Sequence, residues 1–340
     1  MTDTTIAKNI YTADEKAKYD ACCKRLLAEK VILAWIMKSC LWEYADCDVN
    51  EIAEKYIEEK PQIGEIPVAP DERENTPMIQ GTGVEDTTMT EGTVTFDIRF
   101  TAAVPSVHQE PGGSGEEKIG LILNVEAQNQ FYPGYPLIKR GIYYCCRMVS
   151  SQYGTVFTDS HYEKIKKVYS IWICTDPPGY RENTINRYVM SEDSLVGQIQ
   201  EPQQNYDLLA ALMICLGDTK KENCQGILRL LSVLLSSEIK AAEKKEILEK
   251  EYHIEMKRKF GEEVSQMCNL SEGLEQRAAQ RVLQGLQQGI AQGSQQANLN
   301  SIKNLMDTMN WTVKEAMDAL KIKEEERSLY VELLKDKKSD

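Results

Sequence analysis

The strongest constraint on the fold is a change of period partway along the chain. Between residues 94 and 101 apolar and polar residues alternate: Val94, Phe96, Ile98 and Phe100 against Thr95, Asp97, Arg99 and Thr101. A period of two over this length predicts a half-buried strand with Asp97 on its polar face. The loop containing PGGSG follows, and then a second strand from Ile119 to Gln128. Its odd positions, Ile119 to Ala127, are all apolar, and its even positions turn polar at the end with Asn124, Glu126 and Gln128. A third, continuously apolar run, VYSIWIC at 168–174, is stopped by Asp-Pro-Pro-Gly and predicts a buried strand.

Helical patterns flank these strands. The run from Lys24 to Tyr44 has no Pro or Gly and predicts one buried helix, preceded by a frayed polar start over residues 1–20. A second helix is expected over 49–59, stopped by Pro61, and a proline-rich loop over 61–78. A helix over 137–152 carries Arg140, Tyr144, Arg147 and Ser151 on one face. From Tyr206 onward the chain reads as helical, including YDLLAALMICLG and ILRLLSVLLSSEIKAAEKKEILEKEY. The order predicts a mixed α/β (α+β) domain with a C-terminal helical extension. Its expected divisions are a core at 20–215 and an extension packed on it at 216–275. A Gln/Gly-rich connector at 276–298 and a small helical hairpin at 299–340 follow. Gly285, Gly289 and Gly293 recur four residues apart in the connector. They form either a close-packing stripe or a weakly helical link.

Composition narrows the function. The chain has 340 residues, 42% hydrophobic and 27% charged, enough apolar content for a sizeable core. No apolar stretch reaches the roughly 20 residues of a membrane span, and the N-terminus lacks a signal-peptide core. Ten cysteines without C-x-x-C or zinc spacing predict free thiols in a reducing cytoplasm. Three scattered histidines disfavour histidine metal sites and Ser-His-Asp triads. The net charge of −13 argues against an extensive nucleic-acid surface. It leaves room for a local one, because distant charges are screened beyond about 8 Å at physiological salt.

The residues with most chemical promise are Asp97 and the Glu126-Ala127-Gln128 strand end. Pairing of the two strands as a hairpin brings Asp97 opposite Glu126, two carboxylates of the kind that hold Mg²⁺ with water and a phosphate. The Ala127 carbonyl is a further oxygen ligand, and Gln128 points at metal-bound water. Lys139, Arg140 and Arg147 form the candidate phosphate-contacting face.

These segments, Val94-Thr-Phe-Asp97-Ile-Arg-Phe100, Asn124-Val-Glu126-Ala-Gln128 and Arg140-Gly-Ile-Tyr143-Tyr144, resemble the PD-(D/E)XK nuclease superfamily. The likeness is to its bacterial transposase-like branch of recombination-promoting nucleases, and YSIWIC and MCNLSEG add to it. It covers most of residues 24–275. It implies a restriction-endonuclease-like core and a cytoplasmic, Mg²⁺-dependent DNA endonuclease, with Mn²⁺ as a substitute ion. Asp97 and Glu126 hold metal by that resemblance, Gln128 positions water, and an acidic residue on the first helix, Glu29, assists. Gln128 stands where the superfamily pattern has lysine, and a neutral amide supplies no positive charge. That departure motivates a second reading, a nuclease-fold protein that binds DNA or protein without catalysis. Self-association through the C-terminal helices is also expected.

Overall fold

The computed structural model describes residues 5–58, 60–63, 85–88, 92–105 and 119–336. The proline-rich loop beyond Ile63, the PGGSG loop and the last four residues lie outside the described residues. The chain divides into two compact units, residues 1–272 and 273–340.

The larger unit is built on a six-stranded mixed sheet. Its strands are β1 (Gln62–Ile63), β4 (Ile98–Ala103), β5 (Ile119–Gln130), β6 (Lys167–Asp176), β8 (Leu209–Cys215) and β7 (Thr184–Val189), in that spatial order. β1, β4 and β5 are antiparallel neighbours, β5, β6 and β8 run parallel, and β7 closes the sheet antiparallel to β8. A separate antiparallel pair, β2 (Glu85–Thr88) and β3 (Gly92–Thr95), precedes β4. The mixed α/β class expected from the periodicity is the class observed.

Both faces of the sheet are covered. On one side lie α1 (Thr5–Leu27), α2 (Lys30–Cys40), α5 (Gly226–Leu235), α6 (Ala241–Tyr252) and the start of α7 (Arg258–Met309). Leu26, Ile36, Leu231, Leu248 and Met267 join Phe100, Leu123, Ile171 and Leu212 in one core. The other face carries α4 (Leu137–Ser150), whose Leu137, Cys145 and Met148 pack on Ile122, Trp172 and Met213. Gly141 sets how deep α4 lies, because a Cβ there would meet the Met213 Cε and Trp172 Nε1 atoms at 3.1 Å each.

Four local expectations change. The run 24–44 is not one helix. It breaks at Ala28-Glu29, with Glu29 extended, and ends in a 3₁₀ turn at Trp42–Tyr44. The break lets α1 and α2 each lay an apolar face on the same core. Residues 5–20, expected to fray, belong to α1. The segment LAALMIC, read as helix, is strand β8, buried between covered faces. A short, continuously apolar run has the same pattern in either state, and its length favours a strand. The first strand is interrupted at Phe96-Asp97, and β4 is buried on both faces rather than half-solvated. In α3 (Val49–Glu51), which continues as a π-turn to Tyr56, the Asp48 side chain caps the amides of Asn50 and Glu51.

The smaller unit contains the remainder of α7 with α8 (Val313–Ala319) and α9 (Glu324–Asp336). Leu299, Ile302, Met317, Ile322 and Tyr330 form its core. A capping box between Thr312 and Glu315 starts α8. The Gln/Gly-rich stretch is part of α7, and nothing lies within 4 Å of a Cβ built at Gly285, Gly289 or Gly293.

Candidate active site

The β4–β5 register pairs Ile98 with Val125 and Arg99 with Asn124, so the next step outward sets Asp97 against Glu126. At that point β4 has not yet begun, and the Asp97 amide is free to turn to a side chain. It donates to Glu126 Oε1 at 3.0 Å, while the Ala127 amide donates to Asp97 Oδ2 at 3.1 Å. Each carboxylate is thus held by a backbone N–H belonging to, or next to, the other. The Asn124 amide donates to the same Glu126 oxygen at 3.0 Å.

Lys24, on α1 and only 5% exposed, completes the arrangement. Its ammonium lies 2.8 Å from Asp97 Oδ1 and 2.9 Å from Asp20 Oδ2, one helical turn earlier. Burial alone would pull the Lys24 ammonium down, but Asp97 and Asp20 outweigh it and hold the pKa above its ordinary value. Burial pushes the Asp97 carboxyl up, against the pull of Lys24 and the Ala127 amide. Glu126 is raised well above the usual carboxylate range, first by burial and then by the charge of Asp97. The Asp97 amide, the Arg140 charge and Asn124 work the other way.

Above Glu126, α4 contributes Arg140. Its guanidinium donates to Tyr144 Oη at 2.6 and 3.1 Å and to Tyr135 Oη at 3.2 Å, and lies over the Tyr144 and Trp172 rings. The face bearing Arg140, Tyr144, Arg147 and Ser151 turns toward the sheet. Arg147 is only 3% exposed and donates to Tyr143 Oη at 3.2 Å, so it does not present a charge to solvent. Lys139 is exposed on the outer side of the same helix.

The structure therefore brings Asp97, Glu126 and Ala127 together, with Arg140 beside them. Gln128 shares the strand face of Glu126, but its amide is turned away to donate to the Gln130 carbonyl at 3.0 Å. Glu29 stands apart. It lines a cavity of about 490 Å³ with Arg25, Lys60, Lys259 and Glu263, and its carboxyl is raised by burial and by Glu263. The acidic residue of the first helix that reaches the site is Asp20, through Lys24. Sequence reasoning missed both residues. The available signal was their i, i+4 spacing at the edge of an apolar helix, where a lysine needs a partner to be buried.

Among the described residues no three His, Cys, Asp or Glu side chains gather as a metal-binding group. Two carboxylates remain, with the buried Asn124 Oδ1, which has no hydrogen-bond partner, beside them. This all-oxygen donor set matches Mg²⁺, which is commonly held by one or two carboxylates with water and substrate phosphate. Lys24 already occupies Asp97 Oδ1, so a divalent ion has to share that oxygen or displace the ammonium.

Comparison with protein-family models, with curated proteins and with solved structures finds no match to this chain.

Proposed function

We propose that this chain is a Mg²⁺-dependent endonuclease that hydrolyses DNA phosphodiester bonds, of the PD-(D/E)XK type that its motifs resemble. The observation that carries the reading is the reciprocal hold of Asp97 and Glu126 at the end of β4 and β5. It holds Glu126 of β5 and Asp97, in the break just before β4, against each other, as a preorganised site requires. Asp97, Glu126 and the Ala127 carbonyl are the residues that would hold the ion. An ion held by these residues would supply a more acidic water and a positive charge for the attacked phosphate.

The chain's own groups have separable tasks. Glu126 must be ionised to serve as a ligand, and the amides of Asp97 and Asn124 steady that form. Lys24 opposes the upward push that burial gives the Asp97 carboxyl. Arg140, propped between Tyr135 and Tyr144, supplies positive charge next to Glu126 for a phosphate oxygen. Gln128 contributes orientation of water only if its amide leaves the Gln130 carbonyl.

One observation favours the second reading, a binding module without catalysis: Lys24 sits on Asp97 as a built-in cation. Supercoiled plasmid separates the two. Nicking by the full chain that needs Mg²⁺, stops with EDTA and disappears in Asp97→Ala supports the endonuclease. A folded protein that binds DNA but cuts neither plasmid nor a single-stranded oligonucleotide with Mg²⁺ or with Mn²⁺ is the binding module.

A further inference from the structure

The loops that leave the sheet next to the carboxylates are unusually aromatic and unusually open. β5 and β6 end side by side, with Gln130 paired to Asp176. The chain after β5 presents Tyr132, 57% exposed, and the chain after β6 presents Tyr180, 74% exposed. Their hydroxyls meet at 2.8 Å, which ties the two loops into one shelf. Behind Tyr132, the Phe131 ring lies edge-on with centroids 4.8 Å apart. The Arg181 guanidinium lies over both Phe131 and Tyr180, at 4.9 and 5.7 Å from the ring centres.

The shelf is joined to the candidate site. Glu126 stands four residues before Gln130 on β5, about 13 Å along an extended strand. In between, the Tyr135 hydroxyl accepts from Arg140, whose charge acts on Glu126. Two exposed rings, one of them with an arginine over it, suit a flat π-system, and Arg181 and Arg140 are two cations for the few phosphates beside it. Duplex DNA offers no free base faces, and its affinity comes mainly from neutralising many phosphates. A chain of net charge −13 with two arginines at this edge is poorly equipped for that.

We infer that Tyr132 and Tyr180 form a base-stacking shelf, and that the substrate at this site is an unpaired, single-stranded stretch of nucleic acid rather than a regular duplex. The inference rests on the endonuclease reading and names the substrate class for it.

The test is fluorescence anisotropy with the full chain in EDTA, where binding is read without cleavage. The probes are a labelled twelve-nucleotide oligothymidine and a labelled hairpin duplex. The single strand should bind at least about tenfold more tightly than the duplex. Tyr132→Ala/Tyr180→Ala should lose about tenfold or more on the single strand, while Tyr132→Phe/Tyr180→Phe, which keeps both rings, should stay near wild type. Equal binding of the two probes, no binding of either, or an unaffected double alanine variant overturns the shelf. Single-strand binding that depends on the rings, without Mg²⁺-dependent cleavage, upholds the shelf and removes the endonuclease. Plasmid nicking with neither strand preference nor ring dependence does the reverse.

Discussion

The two ends of the same sheet each bury a lysine between two carboxylates, and they use it differently. At the end where β6 begins, Lys167 lies 2.6 Å from Asp207 and 3.3 Å from Glu43, and the Tyr169 hydroxyl lies 2.9 Å from both Glu43 oxygens. All of these side chains are close to fully buried. At the other end, Lys24 bridges Asp97 and Asp20, but the Asp20 side chain is 41% exposed and the Asp97 side chain 19%. A third carboxylate, Glu126, adds charge there that Lys24 does not touch. The first cluster is nearly closed to solvent, with Lys167 facing both carboxylates, although the buried Asp207 Oδ1 has no hydrogen-bond partner. The second is open to solvent on one side and holds a surplus carboxylate whose ionisation costs energy. A sealed cluster stabilises a fold, and an open one with a surplus charge can bind something.

The comparison breaks if the open end is not needed for chemistry. On the endonuclease reading, Asp97→Ala should abolish Mg²⁺-dependent plasmid nicking, down to the level seen with EDTA, because it takes away the oxygen proposed to hold the ion and the anchor of Lys24. Lys167→Met should leave nicking in place but destabilise the chain by about 3 kcal/mol or more in urea unfolding, since two buried carboxylates lose their cation. Lys24→Met should cost less, about 1–2 kcal/mol, because Asp20 and Asp97 are partly hydrated. Mg²⁺ should raise the Tm of that variant more than that of the wild type, having no ammonium to displace. If Lys24→Met proves the costlier of the two, the sealed and open ends have been assigned the wrong way round.

Acidity sharpens the same contrast. Glu126 holds its proton more firmly folded than unfolded, so stability falls as pH rises from the ordinary carboxylate range through the folded value. Glu126→Gln keeps an oxygen acceptor for the Asp97 and Asn124 amides and should flatten that slope in a pH series of denaturation curves. The variant should be more stable than wild type at neutral pH and inactive in nicking. Wild-type nicking should run opposite to stability, increasing with pH as Glu126 ionises. The smallest effect belongs to Gln128→Ala. The turned-away amide predicts a loss below the roughly 10²-fold that one aimed donor supplies, read from initial nicking rates.

Much of this was legible in the sequence, and the exceptions have physical causes. The alternation of Val94 to Thr101 and the polar turn at Asn124, Glu126 and Gln128 were enough to put Asp97 and Glu126 on one face of paired strands. The register that sets them opposite each other is seen only in the fold, since a slip of two residues keeps the same faces. The pattern did not reveal that Asp97 sits in a break between strands, which depends on where pairing starts. The Lys24–Asp97 pair was out of reach for a different reason: the i, i+4 spacing pointed only to Asp20, while Asp97 is 73 residues away and only the closing of α1 over the sheet creates that pair. β8 was misread because an unbroken apolar run carries no period. Arg147 looked like a surface charge because its helix face carries polar residues, yet its side chain is buried and its guanidinium donates to Tyr143 one turn earlier on the same helix.

Gly141 ties these elements to a single dimension. With no side chain at that position, α4 rests on Met213 and Trp172 at the shortest separation two such surfaces allow. The indole that limits the helix from below is the one that lies under the Arg140 guanidinium. The thickness of the layer is therefore a gauge for the site: one methyl group added at Gly141 meets the Met213 methyl and the Trp172 indole at 3.1 Å, so the packing has to give by a few tenths of an ångström beside the ring on which Arg140 rests.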